Sequence, residues 1–279
     1  MNNILPKFPS VSDFIFELNE YGNTFLYDRL DTPNYGFWPH FEYFLSHIQR
    51  FGNSESIIER LSLIVPSNME IKKAWEQWRK FRSAQSEITS IYLIENYLKG
   101  VVEEIIPTTI KPTADIKIRL RKDHYLVEVK AQSGQQDGSI HPRANGWNHF
   151  SPDDELDLKS WLFEEKLSSR DGKPMKPKVL EADCKGASIL FAMVDIMFNH
   201  NDLHELVPDI CPSIEHLETR RIDIPTLKPF TSHFYKAIFP VKKALLNLKE
   251  IWLFHESHLE SFVVLSQESI LLKHMRDER

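Results

Sequence analysis

The sequence predicts an α/β protein: a β-sheet flanked by helices, preceded by a helical N-terminal portion. Three observations carry this. Residues 116–120 and 125–129 alternate apolar and polar side chains with period two, the pattern of half-buried strands. Ala84, Glu87, Ile88, Ile91, Ile94, Glu95 and Leu98 recur at i, i+3, i+4 and i+7, the stripe of a helix packed on a core. Residues 188–198 are dominated by apolar side chains, as expected of a core strand.

Residues 1–66 form the helical portion and residues 67–279 the second domain. Within the first, helices are expected at 11–21, 39–50 and 54–64, the last with Ser54 as N-cap. This portion is rich in aromatic residues, including Phe37, Trp38, Phe41 and Phe44. Core packing accounts for such a stripe; a dimerising surface or a stacking platform for bases are the alternatives. Pro66, Ser67 and Asn68 lead into the long helix, which stops at Gly100, a natural C′ residue. A hairpin follows. A turn between Lys122 and Asp123 sets Leu120 opposite Tyr125, Ile118 opposite Val127 and Ile116 opposite Val129. The other face then sets Asp115 beside Lys130 and Lys117 beside Glu128. The turn lacks the Asn-Gly or Asp-Gly of a tight hairpin.

Beyond it, residues 133–152 read as a loop and 153–167 as an amphipathic helix. Residues 178–185 form a short helix, and Asp195 is anomalous within the strand at 188–198. Residues 201–229 are proline-bearing and loop-like, and 236–248 are expected to be helical. Residues 251–254 and 261–265 suggest a second hairpin extending the sheet, and 267–275 a terminal helix.

The chemistry gathers on the first hairpin. Asp115, Glu128 and Lys130 share one face. Two nearby carboxylates repel unless a cation lies between them. Hard oxygen ligands in small number suit Mg²⁺ or Mn²⁺, with water and phosphate completing the shell. Such an ion acidifies water and neutralises phosphate charge. Lys130 is placed to hold or deprotonate the attacking water, or to stabilise a pentacovalent phosphate. Glu-x-Lys alone is common on exposed strands; Asp115 on the partner strand makes it specific. Glu87 and Glu95 stand on an otherwise apolar stripe, where carboxylates are seldom buried unpaired.

Helix with Glu, strand with Asp, then strand with Glu-Val-Lys resembles the PD-(D/E)xK nuclease superfamily. The resemblance spans residues 84–132. It implies a restriction-endonuclease-like mixed β-sheet core flanked by helices. It implies that Asp115 and Glu128 bind Mg²⁺ or Mn²⁺, that Lys130 assists the water, and that a helix acid contributes. Glu87 matches that acid best, with Glu95 as runner-up. Gln132, on the face of Lys130, is similar to an auxiliary polar residue of some members. Ala114 rather than proline precedes Asp115, a departure the family tolerates. The implied activity is metal-dependent endonuclease cleavage, of DNA more than RNA, in restriction, phage defence or repair. A homodimer or a partner protein of a defence system is the implied assembly.

Composition bounds the rest. The 279 residues are 42% hydrophobic and 27% charged, the balance of a globular protein with a sizeable core. No apolar run reaches membrane-spanning length, and the N-terminus lacks the build of a signal peptide. Two cysteines without a CxxC suit a reducing cytoplasm. A net charge of −6 disfavours general coating of nucleic acid, so a nuclease needs a local basic track. Lys117 and Arg119 on the hairpin, Arg143 in the following loop and Lys173 in a basic loop are the candidate substrate contacts. No GxxxxGK[ST], GxGxxG or GxSxG occurs, which leaves nucleotide-driven, dinucleotide and serine-hydrolase chemistry unsupported. Two alternatives stay open: a nuclease-fold binding or assembly subunit without turnover, and an RNase using the same site.

Overall fold

The N-terminal portion folds as α1 (Pro9–Asn19), α2 (Phe37–Ser46) and α3 (Glu55–Leu61), with α2 and α3 laid against the 26-residue α4 (Ile71–Asn96) in the computed structural model. The structure describes residues 7–30, 35–107, 112–131, 161–162, 166–167, 174–175, 177–193, 217–222, 232–237, 245–255, 258–264 and 269–276. Helices α1 and α2 each begin two residues earlier than the sequence pattern suggests. Pro9 fits there because its fixed φ and missing N–H suit a first helical turn. Ser54 precedes α3, but its hydroxyl makes no capping bond. The aromatic stripe is largely core: Phe37, Trp38, Phe41 and Phe44 are fully buried, with Phe37 stacked on Phe41 at 5.5 Å. Phe16 and Tyr21 are exposed. One continuous hydrophobic cluster runs from these helices through α4 into the sheet.

The end of α4 corrects the reading of Gly100. Lys99, not Gly100, takes the left-handed conformation, at φ +52°. Glycine is needed for space instead. A Cβ at Gly100 would lie 2.7 Å from Leu120 Cδ2 and 3.0 Å from Ile94 Cγ2, both in the core. Gly100→Ala is therefore expected to cost about 1–3 kcal/mol, the range for overpacking, read as a lowered urea midpoint.

The sheet begins as an antiparallel meander of β1 (Val101–Ile105), β2 (Ile116–Leu120) and β3 (Asp123–Ala131). Strand β4 (Lys166–Leu167) pairs with β5 (Pro174–Met175), a separate two-stranded sheet among the described residues. Helix α5 (Lys178–Cys184) leads into β6 (Ile189–Met193), which lies parallel to β3. Strand β9 (Glu250–His255) lies parallel to β6 on its far side. These five strands, β1-β2-β3-β6-β9, make a mixed sheet. Beyond β9 the sheet continues through β10 (His258–Val264), β8 (Ser232–Ala237) and β7 (Leu217–Ile222). The chain ends in α6 (Ile270–Arg276). Every residue of β6 is buried, as in a parallel strand covered on both faces. The apolar face of the hairpin (Ile116, Ile118, Val127, Val129) joins the same core as Ile88 and Ile91 of α4.

The structure revises several expected elements. Lys166 and Leu167 are strand, so a helix over 153–167 does not reach them. The segment 201–229, expected to be loop, contains β7. Lys236 and Ala237 close β8 and residues 245–248 are not helical, so the expected helix at 236–248 fails at both ends, and residues 238–244 lie outside the described residues. For β7 and β8, pairing within the large sheet supplies the backbone hydrogen bonds, and local pattern does not announce it. The second hairpin does form, and it extends the sheet as expected. Asp195 lies outside the described residues.

Strand β9 opens on Glu250, a fully buried carboxyl that anchors the terminal helix. Its Oε2 accepts from Trp252 Nε1 at 2.8 Å and from the Leu271 amide at 3.4 Å, while Oε1 has no hydrogen-bond partner among the described residues. Burial pushes its pKa up to about 7, against the hydrogen bonds from Ser269, Trp252 and α6 that favour the charged form. Between the ordinary 4.5 and about 7 the folded state therefore holds a proton that the unfolded chain releases. Stability from this group is full below that window and lost as pH rises through it, by roughly 3 kcal/mol. Glu250→Gln is expected to gain on wild type by roughly that amount between pH 5 and pH 8, measured by urea unfolding at both.

Candidate active site

The hairpin turn decides the geometry. Arg121 takes φ +61° and, with Lys122, makes a two-residue turn without the usual glycine or asparagine. Ile116 then pairs with Val127, Ile118 with Tyr125 and Leu120 with Asp123. The register is shifted by two from the expected one. An even shift keeps each side chain on its face but changes its neighbours. The ladder starts at Ile116, and just before it the Asp115 amide donates to Val127 O, which leaves Asp115 within reach of the Glu128 charge.

Asp115 precedes β2 and is held there by its backbone. Its amide donates to Val127 O at 3.0 Å, its carbonyl accepts from the Ile106 amide at 2.8 Å, and its Oδ2 accepts from the Val129 amide at 2.8 Å. Burial, reinforced by the Glu128 charge, pushes its pKa up to about 6. Lys185, the Val129 amide and Lys130 oppose that rise. Glu128 is fully buried. Its Oε1 receives two ammonium groups, Lys130 Nζ at 2.5 Å and Lys185 Nζ at 2.6 Å. Its Oε2 is buried with no hydrogen-bond partner among the described residues. Such an orphaned acceptor is costly unless something occupies it.

Burial works against the Lys130 ammonium, but the charge and hydrogen bond of Glu128, with Asp115 behind them, outweigh it and hold its pKa above the ordinary lysine value. Lys130 is therefore a proton donor at neutral pH rather than a base. Lys185 follows α5, and its Nζ also lies 4.0 Å from Asp115 Oδ1. The sequence reading missed it. Its approach depends on the parallel pairing of β3 with β6, and no local pattern signals that contact.

The helix glutamates are both engaged. Glu87 forms a bidentate pair with Arg60 of α3, each contact 2.7 Å, and accepts from Ser83 Oγ at 3.2 Å. Arg60 also donates to Ser56 O and Ser83 Oγ. Burial lowers the Arg60 pKa, but Glu87 and then Asp115 outweigh it and raise it overall. Glu87 thus meets a cation of the protein itself with both oxygens. Glu95 accepts from the Tyr43 hydroxyl at 2.6 Å and from the Val102 amide at 2.9 Å, and pairs with Arg50. It ties α2 and β1 to the end of α4, about 12 Å along the helix from Glu87. Among the described residues, no group of three or more His, Cys, Asp or Glu side chains is placed to hold a metal.

The basic track is also partly spoken for. Glu103 sits at the β1 bulge, between the paired residues Val102 and Glu104. It meets Arg119 Nε at 3.2 Å, Lys117 Nζ at 3.5 Å and His124 Nδ1 at 2.8 Å. Gln132, Arg143 and Lys173 lie outside the described residues. No helix among the described residues is long and apolar enough to cross a membrane.

No protein-family model matches the chain, and no curated protein and no solved structure matches it. The site must therefore be read from its own chemistry.

Proposed function

We propose that this chain is a metal-dependent nuclease of the PD-(D/E)xK type, acting on DNA more readily than RNA. One observation carries the reading: a buried Glu128, with one oxygen unpartnered among the described residues, shares the Lys185 ammonium with Asp115 and holds Lys130 on its other oxygen. These residues fit Mg²⁺ or Mn²⁺, which take hard oxygens and keep several waters. Asp115 and Glu128 would hold the ion. When bound, it supplies an acidified water and neutralises charge on the scissile phosphate.

The chain's own residues do the rest. Asp115 is aimed by the Val129 amide, which fixes its Oδ2 and leaves Oδ1 toward Lys185. Lys130, held protonated by Glu128, donates hydrogen bonds to the attacking water or to the phosphoryl oxygens. In the reaction the water oxygen bonds to phosphorus as the bridging P–O bond breaks, the water's proton passing to solvent and the leaving oxygen taking one from solvent. The negative charge that grows on the phosphoryl group is met by the Lys130 ammonium. Glu87 holds Arg60 near Asp115, a positioning role in place of the ligand role first expected. Restriction, phage defence or repair is the setting this reading suits, with a homodimer or a defence-system partner as its assembly.

A non-catalytic binding or assembly subunit is the second reading. It is favoured by the two ammonium groups on Glu128 Oε1, which already neutralise the acid pair. Cleavage assays separate the two. Supercoiled plasmid, linear duplex, single-stranded DNA and RNA are incubated with Mg²⁺ or Mn²⁺, using wild type and Asp115→Ala. Metal-dependent cutting of DNA by wild type alone supports the nuclease; preference for RNA makes it an RNase. Cutting of none by folded protein favours the binding subunit.

A further inference from the structure

Glu128 carries one more cation than a catalytic lysine explains. Lys130 is fixed two residues along the same strand. Lys185 arrives from the connection between α5 and β6, and reaches both acids, 2.6 Å from Glu128 Oε1 and 4.0 Å from Asp115 Oδ1. An ammonium in contact with both carboxylates takes the place between them that a divalent ion would take. It also has a way out. The Lys185 side chain is a quarter exposed, and the next residue, Gly186, turns at φ +76° with nothing within 4 Å of where a Cβ would stand.

Charge balance points the same way. Two carboxylates with two ammonium groups are neutral, so the free site is compensated without a metal. Add a divalent ion and a phosphodiester, and neutrality returns only when one ammonium leaves. Lys130 lies against Glu128 as its strand neighbour; Lys185 is the one that bridges.

We propose that Lys185 is a built-in counter-ion, closing the cation site in the free protein and displaced when a divalent ion binds. This rests on the proposed role of Asp115 and Glu128 as the ligands. Removing Lys185 then strengthens metal binding instead of weakening it, the opposite of what a residue supporting the metal would show.

The experiment is calorimetric titration of Mn²⁺ into the full chain at pH 8, with no substrate present. Wild type, Lys185→Met, Lys185→Arg and Asp115→Asn are compared, with folding checked by circular dichroism. Lys185→Met is expected to bind Mn²⁺ about tenfold more tightly than wild type, as loss of a close like charge implies. Lys185→Arg, which keeps the charge, is expected to stay near wild type, and Asp115→Asn to lose binding. Should Lys185→Met not fold, Lys185→Gln replaces it with the same expectation. Equal or weaker binding by the neutral variant, with Asp115→Asn still deficient, overturns the counter-ion and leaves the metal site standing. If neither wild type nor the neutral variant binds better than Asp115→Asn, both the counter-ion and the metal-site reading fall.

Discussion

Lys130→Ala is expected to lower metal-dependent phosphodiester cleavage by about 10²- to 10³-fold, the cost of removing one donor aimed at developing charge. The size follows from the protonation state. Glu128 at 2.5 Å holds Lys130 as an ammonium, so the lost group is a preorganised donor rather than a base. The fold is expected to survive, because Lys185 still neutralises Glu128 at 2.6 Å. The loss should therefore fall on cleavage with the circular dichroism spectrum unchanged. Retained cleavage would remove Lys130 from the reaction. Loss of structure would make it a folding residue.

The second large effect is on stability. Glu87→Gln is expected to destabilise the fold by about 3 kcal/mol, the lower end for breaking a buried ion pair from one side. Arg60 would keep its bonds to Ser56 and Ser83 but lose the carboxylate that neutralises it. The lower end applies because Arg60 is about a quarter exposed and water compensates part of the loss. Urea unfolding gives the value. Unchanged stability together with weakened Mn²⁺ binding would return Glu87 to the metal ligands and remove it from the Arg60 scaffold.

Glu87 also shows what was legible in the sequence. Two carboxylates on an apolar stripe were visible as an anomaly, and buried charges demand partners. The partners were not visible, since Arg60 and Arg50 lie on neighbouring elements tens of residues away. The alternation of 116–120 and 125–129 located the hairpin and its faces. Its register was misread by two because Arg121 adopts a positive φ that sequence rules reserve for glycine and asparagine. The error kept Asp115, Glu128 and Lys130 on one face and changed only which residues stand directly opposite. Strand β6 was legible from its continuous apolar run, whereas its parallel pairing with β3, which delivers Lys185 to Glu128, has no local signature. Strands β7 and β8 escaped for the same reason: pairing across the sheet overrides weak local preference.

The most direct test is the rate of supercoiled plasmid nicking as Mn²⁺ is raised, for wild type beside Asp115→Asn of equal folded content. Cutting that rises with the ion, stops on chelation and is missing from Asp115→Asn is the result expected of a site built on Asp115 and Glu128. Cutting that is indifferent to the ion, or equal in the two proteins, would contradict it.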